Sequence, residues 1–210
     1  MITIAMAKGR LADKTIVLLE HAGVDCSELK QESRKLTFYD STGEIRFLMV
    51  KPTDVPTYVD HGVADIGVVG KDTLMEANRP LYEMLDLGFG KCRLAIAGYL
   101  NPPNTARLHN LRVATKYPNI ARNYYQSKGE TIEIIKLNGS IELGPIIGLS
   151  DVILDIVESG STLKANGLAV LEEICDVSAR MVVNRVSLKT KNAEIKRIIN
   201  GVQAAMEALK

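Results

Sequence analysis

The chain has 210 residues, 46% hydrophobic and 24% charged, which provides for a sizeable core and excludes the disordered and fibrous classes. Its 26 Lys and Arg nearly balance 25 Asp and Glu, for a net charge of +1. Broad electrostatic adhesion to nucleic acid or to an anionic membrane is thereby excluded, and any anion must be held locally.

Ile2 to Met6 predicts a first strand, and Arg10 to Ala22 a helix whose apolar face includes Leu11, Thr15, Leu18 and Ala22, stopped by Gly23. Lys8-Gly9-Arg10 lies at the strand-to-helix turn. Phe38 to Val50 predicts a hairpin turned near Ser41-Thr-Gly-Glu44, and Pro56 suits the first turn of a second helix capped by Thr53 or Asp54. A buried strand over Asp65 to Val69 and a short helix over Lys71 to Ala77 follow. Two strands, Tyr82 to Leu87 and Arg93 to Tyr99, are separated by Gly88-Phe-Gly90, and Asn101-Pro-Pro-Asn104 is the clearest punctuation.

Beyond it, strand (112–115), helix (119–127), strand (131–136), helix (141–147) and strand (152–155) alternate, a pattern that implies right-handed crossovers and a parallel sheet. The chain ends in an apolar run, Ala179 to Val186, and a helix over Glu194 to Leu209 with apolar residues every three or four positions. The fold class read from this order is α/β in two lobes. Residues 1–90 with 177–210 form one lobe, residues 91–176 the other, and a ligand cleft lies between them where the chain crosses twice.

The most informative run is Asp151-Val-Ile-Leu-Asp-Ile-Val-Glu-Ser-Gly-Ser-Thr-Leu-Lys164, a buried-strand pattern that ends in an acidic, glycine- and hydroxyl-rich turn opening a helix. Asp155 falls near the carboxyl edge of the strand. Glu158-Ser159-Gly160-Ser161-Thr162 supplies hydroxyls, a glycine that admits a ligand close to the backbone, and free amides at a helix start, which together suit a phosphate. The same residues also suit a plain helix cap.

Other chemistries find no support. Cys26, Cys92 and Cys175 are far apart, odd in number and without Cys-x-x-Cys spacing, so they read as reduced, core-filling thiols. His21, His61 and His109 show no ligand spacing and read as surface or helix-end residues. With no Trp and 5% aromatics, a base-stacking platform is excluded. The N-terminus turns charged at Lys8 too early for a secretory signal, and no apolar run approaches the ~20 residues that span a bilayer, so the expected location is the cytoplasm.

The Asp155 to Thr162 segment resembles the loop that binds the 5-phosphate and ribose of phosphoribosyl pyrophosphate, in the form carried by the ATP phosphoribosyltransferase family, and Leu163-Lys-Ala-Asn-Gly-Leu168 continues the likeness. Lys8-Gly9-Arg10, Ser33-Arg34-Lys35-Leu36, Asp54-Val-Pro-Thr-Tyr58 and Ala64-Asp-Ile-Gly-Val-Val-Gly-Lys-Asp72 extend it, in order, across nearly the whole chain. Many other phosphoribosyltransferases place two adjacent acids before this loop. Here Ile156 follows Asp155, so the resemblance is to this one family.

The resemblance implies a bilobal fold like that of the periplasmic binding proteins, and the first step of histidine biosynthesis. In that step the phosphoribosyl group moves from phosphoribosyl pyrophosphate to N1 of ATP and pyrophosphate is released. Asp155, Glu158, Ser159, Gly160, Ser161 and Thr162 are the expected phosphoribosyl pyrophosphate residues, in the second lobe. Lys8, Gly9, Arg10, Arg34, Lys51, Asp65 and Lys71 are expected around ATP and pyrophosphate in the first, with Arg34 and Lys51 as the main electrostatic groups. Mg2+ is expected to enter on the substrates, without direct protein ligands. Longer family members carry a C-terminal regulatory domain. A chain ending at Lys210 matches the short form, expected to be a homodimer within a hetero-oligomer that includes a regulatory subunit resembling histidyl-tRNA synthetase. A phosphoribosyltransferase for another base and a solute-binding receptor are the rival readings.

Overall fold

The computed structural model describes residues 1–101 and 110–209. His109 and residues 102–104 of the Asn-Pro-Pro-Asn punctuation lie outside the described residues. The chain divides into two compact units, Met1–Gly90 with the chain from Ser178 onward, and Lys91–Val177. The second division thus falls one residue beyond the expected position.

In the first unit, β1 (Ile2–Ala7) leads into α1 (Arg10–His21), then β2 (Thr37–Tyr39), β3 (Ile45–Val50), α2 (Val55–Asp60), β4 (Ile66–Gly70), α3 (Lys71–Ala77) and β5 (Tyr82–Asp86). α1 ends as a glycine-stopped helix does, with the Gly23 amide bonded to Glu20 O and the Val24 amide to Leu19 O. The side chains of β1 alternate between two cores, as the two-residue period of a strand requires. Ile4 and Met6 pack with α1 and the C-terminal helix, whereas Ala5 packs with Val55 and Val59 of α2. α2 approaches β4 closely because residue 67 is glycine; a Cβ there would lie 2.6 Å from Val59 Cγ2. Gly67 is thus a packing residue.

The second unit contains β6 (Cys92–Gly98), β7 (Leu111–Thr115), α4 (Pro118–Ser127), β8 (Ile132–Lys136), α5 (Leu143–Ile146), β9 (Val152–Val157), α6 (Ser161–Ala165) and β10 (Ala169–Val177). The chain returns to the first unit through β11 (Ala179–Val183), α7 (Arg185–Thr190) and α8 (Asn192–Ala208). Among the described residues, the sheets are six strands ordered β2-β3-β1-β4-β11-β5 and five ordered β10-β6-β9-β7-β8. β7, β8 and β9 run parallel, but β6 is antiparallel to β9, so the sheet is mixed rather than purely parallel.

Three further departures have local causes. β10 escapes the sequence pattern because register shifts after Val170 and Glu173 break its two-residue alternation. The expected run to Val186 stops at Val183, since the Asn184 side chain accepts bonds from the amides of Val186 and Ser187 and starts α7. The helix expected over 141–147 shrinks to Leu143–Ile146. Among the described residues no helix is long and apolar enough to cross a membrane.

Candidate functional site

Parallel strands deliver their following residues to one edge of a sheet, and in open α/β sheets ligands bind outside the carboxyl ends of the strands. In the first unit β1 runs parallel to both β3 and β4, with Ala7 opposite Val50 and Met6 opposite Val68. Lys8, Lys51 and Lys71 each follow one of these strands. Neighbouring strands lie about 4.8 Å apart, so the three lysine backbones leave the sheet within roughly 10 Å of one another. This convergence of positive charge at a sheet edge is what a polyphosphate needs.

The lysines differ in what holds them. Lys8 and Lys51 are exposed, whereas Lys71 is paired with Glu83, whose other oxygen lies 3.0 Å from Arg180 Nη1. Arg180 in turn reaches Asp86 at 2.9 Å, and Ser178 Oγ donates to Asp86 at 2.7 Å. The charge of Lys71 is therefore partly neutralised by Glu83. Gly9 has φ 109°, with nothing within 4 Å of a notional Cβ, so glycine is set there by backbone conformation rather than by space. Arg10, the first residue of α1, is exposed.

A cavity of about 610 Å3 opens beside this edge, within the size range of small-ligand sites. Lys8, Gly9 and Arg34 line it, with Asp13 and Glu32, over an apolar floor that includes Ile16, Phe38 and Met49. Lys51 and Lys71 are not among its lining residues. Arg34 sits in an irregular, exposed segment between residues 31 and 36.

The structure corrects the reading of Asp65. It precedes β4, at the amino end of the strand and so at the opposite edge from Lys71. Its buried carboxylate accepts from the Thr3 amide at 2.8 Å, from Ser187 Oγ at 2.6 Å and from Lys191 Nζ at 2.9 Å. It ties β1, β4, α7 and α8 together and does not face the lysine edge. The sequence did carry a signal, since the carboxyl-edge rule alone places a residue before a strand on the wrong side.

In the second unit β9 runs on to Val157, two residues past its expected end. Leu154 pairs with Thr115, the last residue of β7, so Asp155 is the first residue beyond the carboxyl end of that neighbour. Asp155 is half-buried and opposite the small Ala95, and its Oδ1 accepts from the Ile156 amide at 2.8 Å. Glu158, Ser159, Ser161 and Thr162 are exposed, and Gly160 takes φ 76° as the residue before α6. Ser159 Oγ and Ser161 Oγ lie 2.9 Å apart, and Ser159 Oγ also accepts from the Ser161 amide at 3.3 Å. The loop is thus bonded to itself while presenting hydroxyls to solvent. The packing beneath it is by small side chains, Ala95, Ala97 and Ala114, with Ile153 and Leu163.

Two groups escaped the sequence reading. Exposed Lys116 follows β7, and the exposed Asn138-Gly139-Ser140 turn comes just after β8, at the same carboxyl edge as Asp155. Only the strand order shows that Lys116 lies beside β9, with the turn after β8 one strand further along. Cys26 and His21 are taken up elsewhere in the first unit. Burial pushes the Cys26 thiol up to about 12, so it stays protonated, and His21 at the end of α1 bonds Val17 O at 2.8 Å. Among the described residues no group of three or more His, Cys, Asp or Glu could hold a metal ion.

The family model described as HisG, ATP phosphoribosyltransferase, matches residues 51–204. An ATP phosphoribosyltransferase of Ruminiclostridium cellulolyticum is 57% identical over 204 residues, covering 96% of this chain and 95% of its own. Among solved structures, the ATP phosphoribosyl transferase (HisG:HisZ) complex from Thermotoga maritima superposes with a TM-score of 0.86 at 39% identity, covering 99% of this chain and 98% of the other. The periplasmic aliphatic sulphonate binding protein SsuA of Escherichia coli, 14% identical with a TM-score of 0.59, shares the fold over 98% of this chain and 68% of its own.

Proposed function

Because the chain belongs to the ATP phosphoribosyltransferase family, we propose that its two half-sites divide the two substrates of that reaction between them. The reaction transfers the 5-phosphoribosyl group of phosphoribosyl pyrophosphate to N1 of ATP, the first step of histidine biosynthesis. The N1 lone pair forms the new bond to C1 of the ribose, and the bond to pyrophosphate breaks and takes its electrons away. The ribose gains oxocarbenium character and the leaving group gains negative charge, so the demand is for fixed positive charge and hydrogen-bond donors rather than for a strong base.

The convergence of Lys8, Lys51 and Lys71 at one sheet edge carries the reading. In it, Lys8, Arg10, Arg34 and Lys51 hold the triphosphate and the departing pyrophosphate, and Lys71 joins them when Glu83 releases it. Asp155 accepts from the ribose hydroxyls, with Glu158 beside it. Ser159, Gly160, Ser161 and Thr162 surround the 5-phosphate, and Lys116 adds charge at the same edge. A divalent cation, which we take to be Mg2+, is brought by the substrates' phosphates and neutralises the leaving pyrophosphate. The wide spacing of Cys26, Cys92 and Cys175, without a Cys-x-x-Cys pair, suits a reducing compartment, and we place the enzyme in the cytoplasm. The Thermotoga HisG:HisZ complex supports assembly with a second, regulatory subunit; we take that subunit to resemble histidyl-tRNA synthetase and to assemble around a homodimer of this chain.

The test is formation of phosphoribosyl-ATP from ATP, phosphoribosyl pyrophosphate and Mg2+, followed by absorbance, with and without that subunit. Product is expected in at least the complete mixture. Folded protein that yields none in either overturns the reading.

A further inference from the structure

The segment that carries Arg34 has no regular structure, yet its side chains diverge in a defined way. Residues 31–34 line the cavity, whereas the next side chain, Lys35, turns away and places Nζ 3.0 Å from Glu28 Oε1. Glu28 belongs to the single 3-10 turn Ser27–Lys30, anchored by the bond from the Leu29 amide to Cys26 O and by Leu29 packing on the core. Its second oxygen accepts from the Tyr39 amide at 2.6 Å, on β2. One carboxylate therefore spans both ends of the segment.

We propose that Glu28 is a positioning residue for the transfer reaction: by holding Lys35 it fixes the backbone from which Arg34 enters the cavity. The backbone ties lie outside residues 31–35 or at their margin, with Gln31 N on Glu28 O at 3.4 Å and Met49 N on Leu36 O at 2.9 Å. Within the segment, Ser33 Oγ accepts from the Lys35 amide at 3.0 Å, which keeps the turn around Arg34 local but does not attach it to the body of the unit. The Glu28 to Lys35 bond makes that attachment. The Tyr39 amide, and after it Lys35, hold the Glu28 carboxyl below its ordinary range, so it is ionised throughout the neutral range. A guanidinium offers two parallel donors only when its approach is fixed, so loosening its backbone weakens phosphate binding without removing the charge.

The inference rests on the reading that Arg34 contacts the substrates' phosphates, and the experiment separates the two. Glu28→Gln, Lys35→Met, their double variant, Lys35→Arg and Arg34→Ala are assayed with both substrates, Mg2+ and the regulatory subunit. Glu28→Gln keeps an acceptor for Tyr39 but loses the pair with Lys35. The expected result is a roughly two- to fivefold rise in KM for whichever substrate Arg34→Ala affects, with kcat and melting temperature held. Lys35→Met should give the same rise, the double variant no more than either single one, and Lys35→Arg none. Wild-type kinetics for Glu28→Gln beside an impaired Arg34→Ala overturn the positioning role. So do additive losses, or a fall in kcat that follows a fall in melting temperature. Wild-type kinetics for Arg34→Ala overturn the underlying reading instead.

Discussion

On the assignment proposed above, the first unit meets an anion with side chains and the second with backbone. At the edge of β3, β1 and β4, charge comes from long, flexible lysines and from Arg34 in an irregular segment. In the loop after β9 it comes from amides and hydroxyls around Gly160, held at φ 76° with Val157 as the side chain beside it. A flexible ammonium tolerates displacement and follows a group whose charge changes as it leaves. A turn of amides tolerates almost none, and suits a phosphate that stays fixed while the chemistry happens at C1. The unit whose donors are side chains is the one we assign to the departing pyrophosphate.

That contrast is sharpest at Gly160. Gly160→Val puts a β-branched side chain at φ 76°, and turnover should be lost outright. Calorimetry is expected to show phosphoribosyl pyrophosphate binding abolished with ATP binding retained; wild-type binding of both would reduce the loop to a helix cap. Next in size is Asp65→Ala, which strands Lys191 and the buried Thr3 amide and should cost about 2–4 kcal/mol in denaturant unfolding, with KM unchanged in the surviving protein. A change in KM without loss of stability would return Asp65 to the site.

Arg34→Ala and Lys51→Ala each remove one charged partner and should lower kcat/KM by about 1.5–3 kcal/mol. These effects should be graded, unlike that of Gly160→Val, and a wild-type rate would exclude the residue concerned. The smallest effect concerns the loop before the Ser27–Lys30 turn in acid. Asp25 accepts from the Ser27 amide at 2.9 Å and from the Ser41 amide at 3.1 Å, and these bonds, Ser27 foremost, lower its carboxyl to about 2. A depressed folded value means that the contribution is complete above the ordinary carboxylate range and fades as pH falls towards about 2. Asp25→Asn should therefore flatten that part of the melting temperature profile between pH 4 and about 2, and an unchanged profile would show that the bonds add nothing.

Much of the molecule was legible in local pattern. The stop of α1 at Gly23, the strand over Val152 to Leu154, the acidic glycine-serine turn and the parallel run of β7, β8 and β9 follow from residue type and spacing over short stretches. Such features are local because a helix end, a buried strand and a glycine-serine turn are each built from neighbours in the chain. β10 was hidden by its bulges, and Lys116 drew no notice because a lysine after a strand is ordinary until strand order places it beside Asp155.

By itself, then, the sequence determined the α/β class and the strand, glycine-serine turn and helix that run from β9 into α6, since each is built from neighbours in the chain. Only the tertiary structure decided which charges share an edge. Asp65 and Lys71 lie six positions apart yet belong to opposite ends of β4, and the partners that claim Asp65, Ser187 and Lys191, are more than a hundred residues away. A buried carboxylate must find donors wherever the fold brings them, and which donors arrive is set by the packing of α7 and α8 against the sheet, which no local pattern encodes.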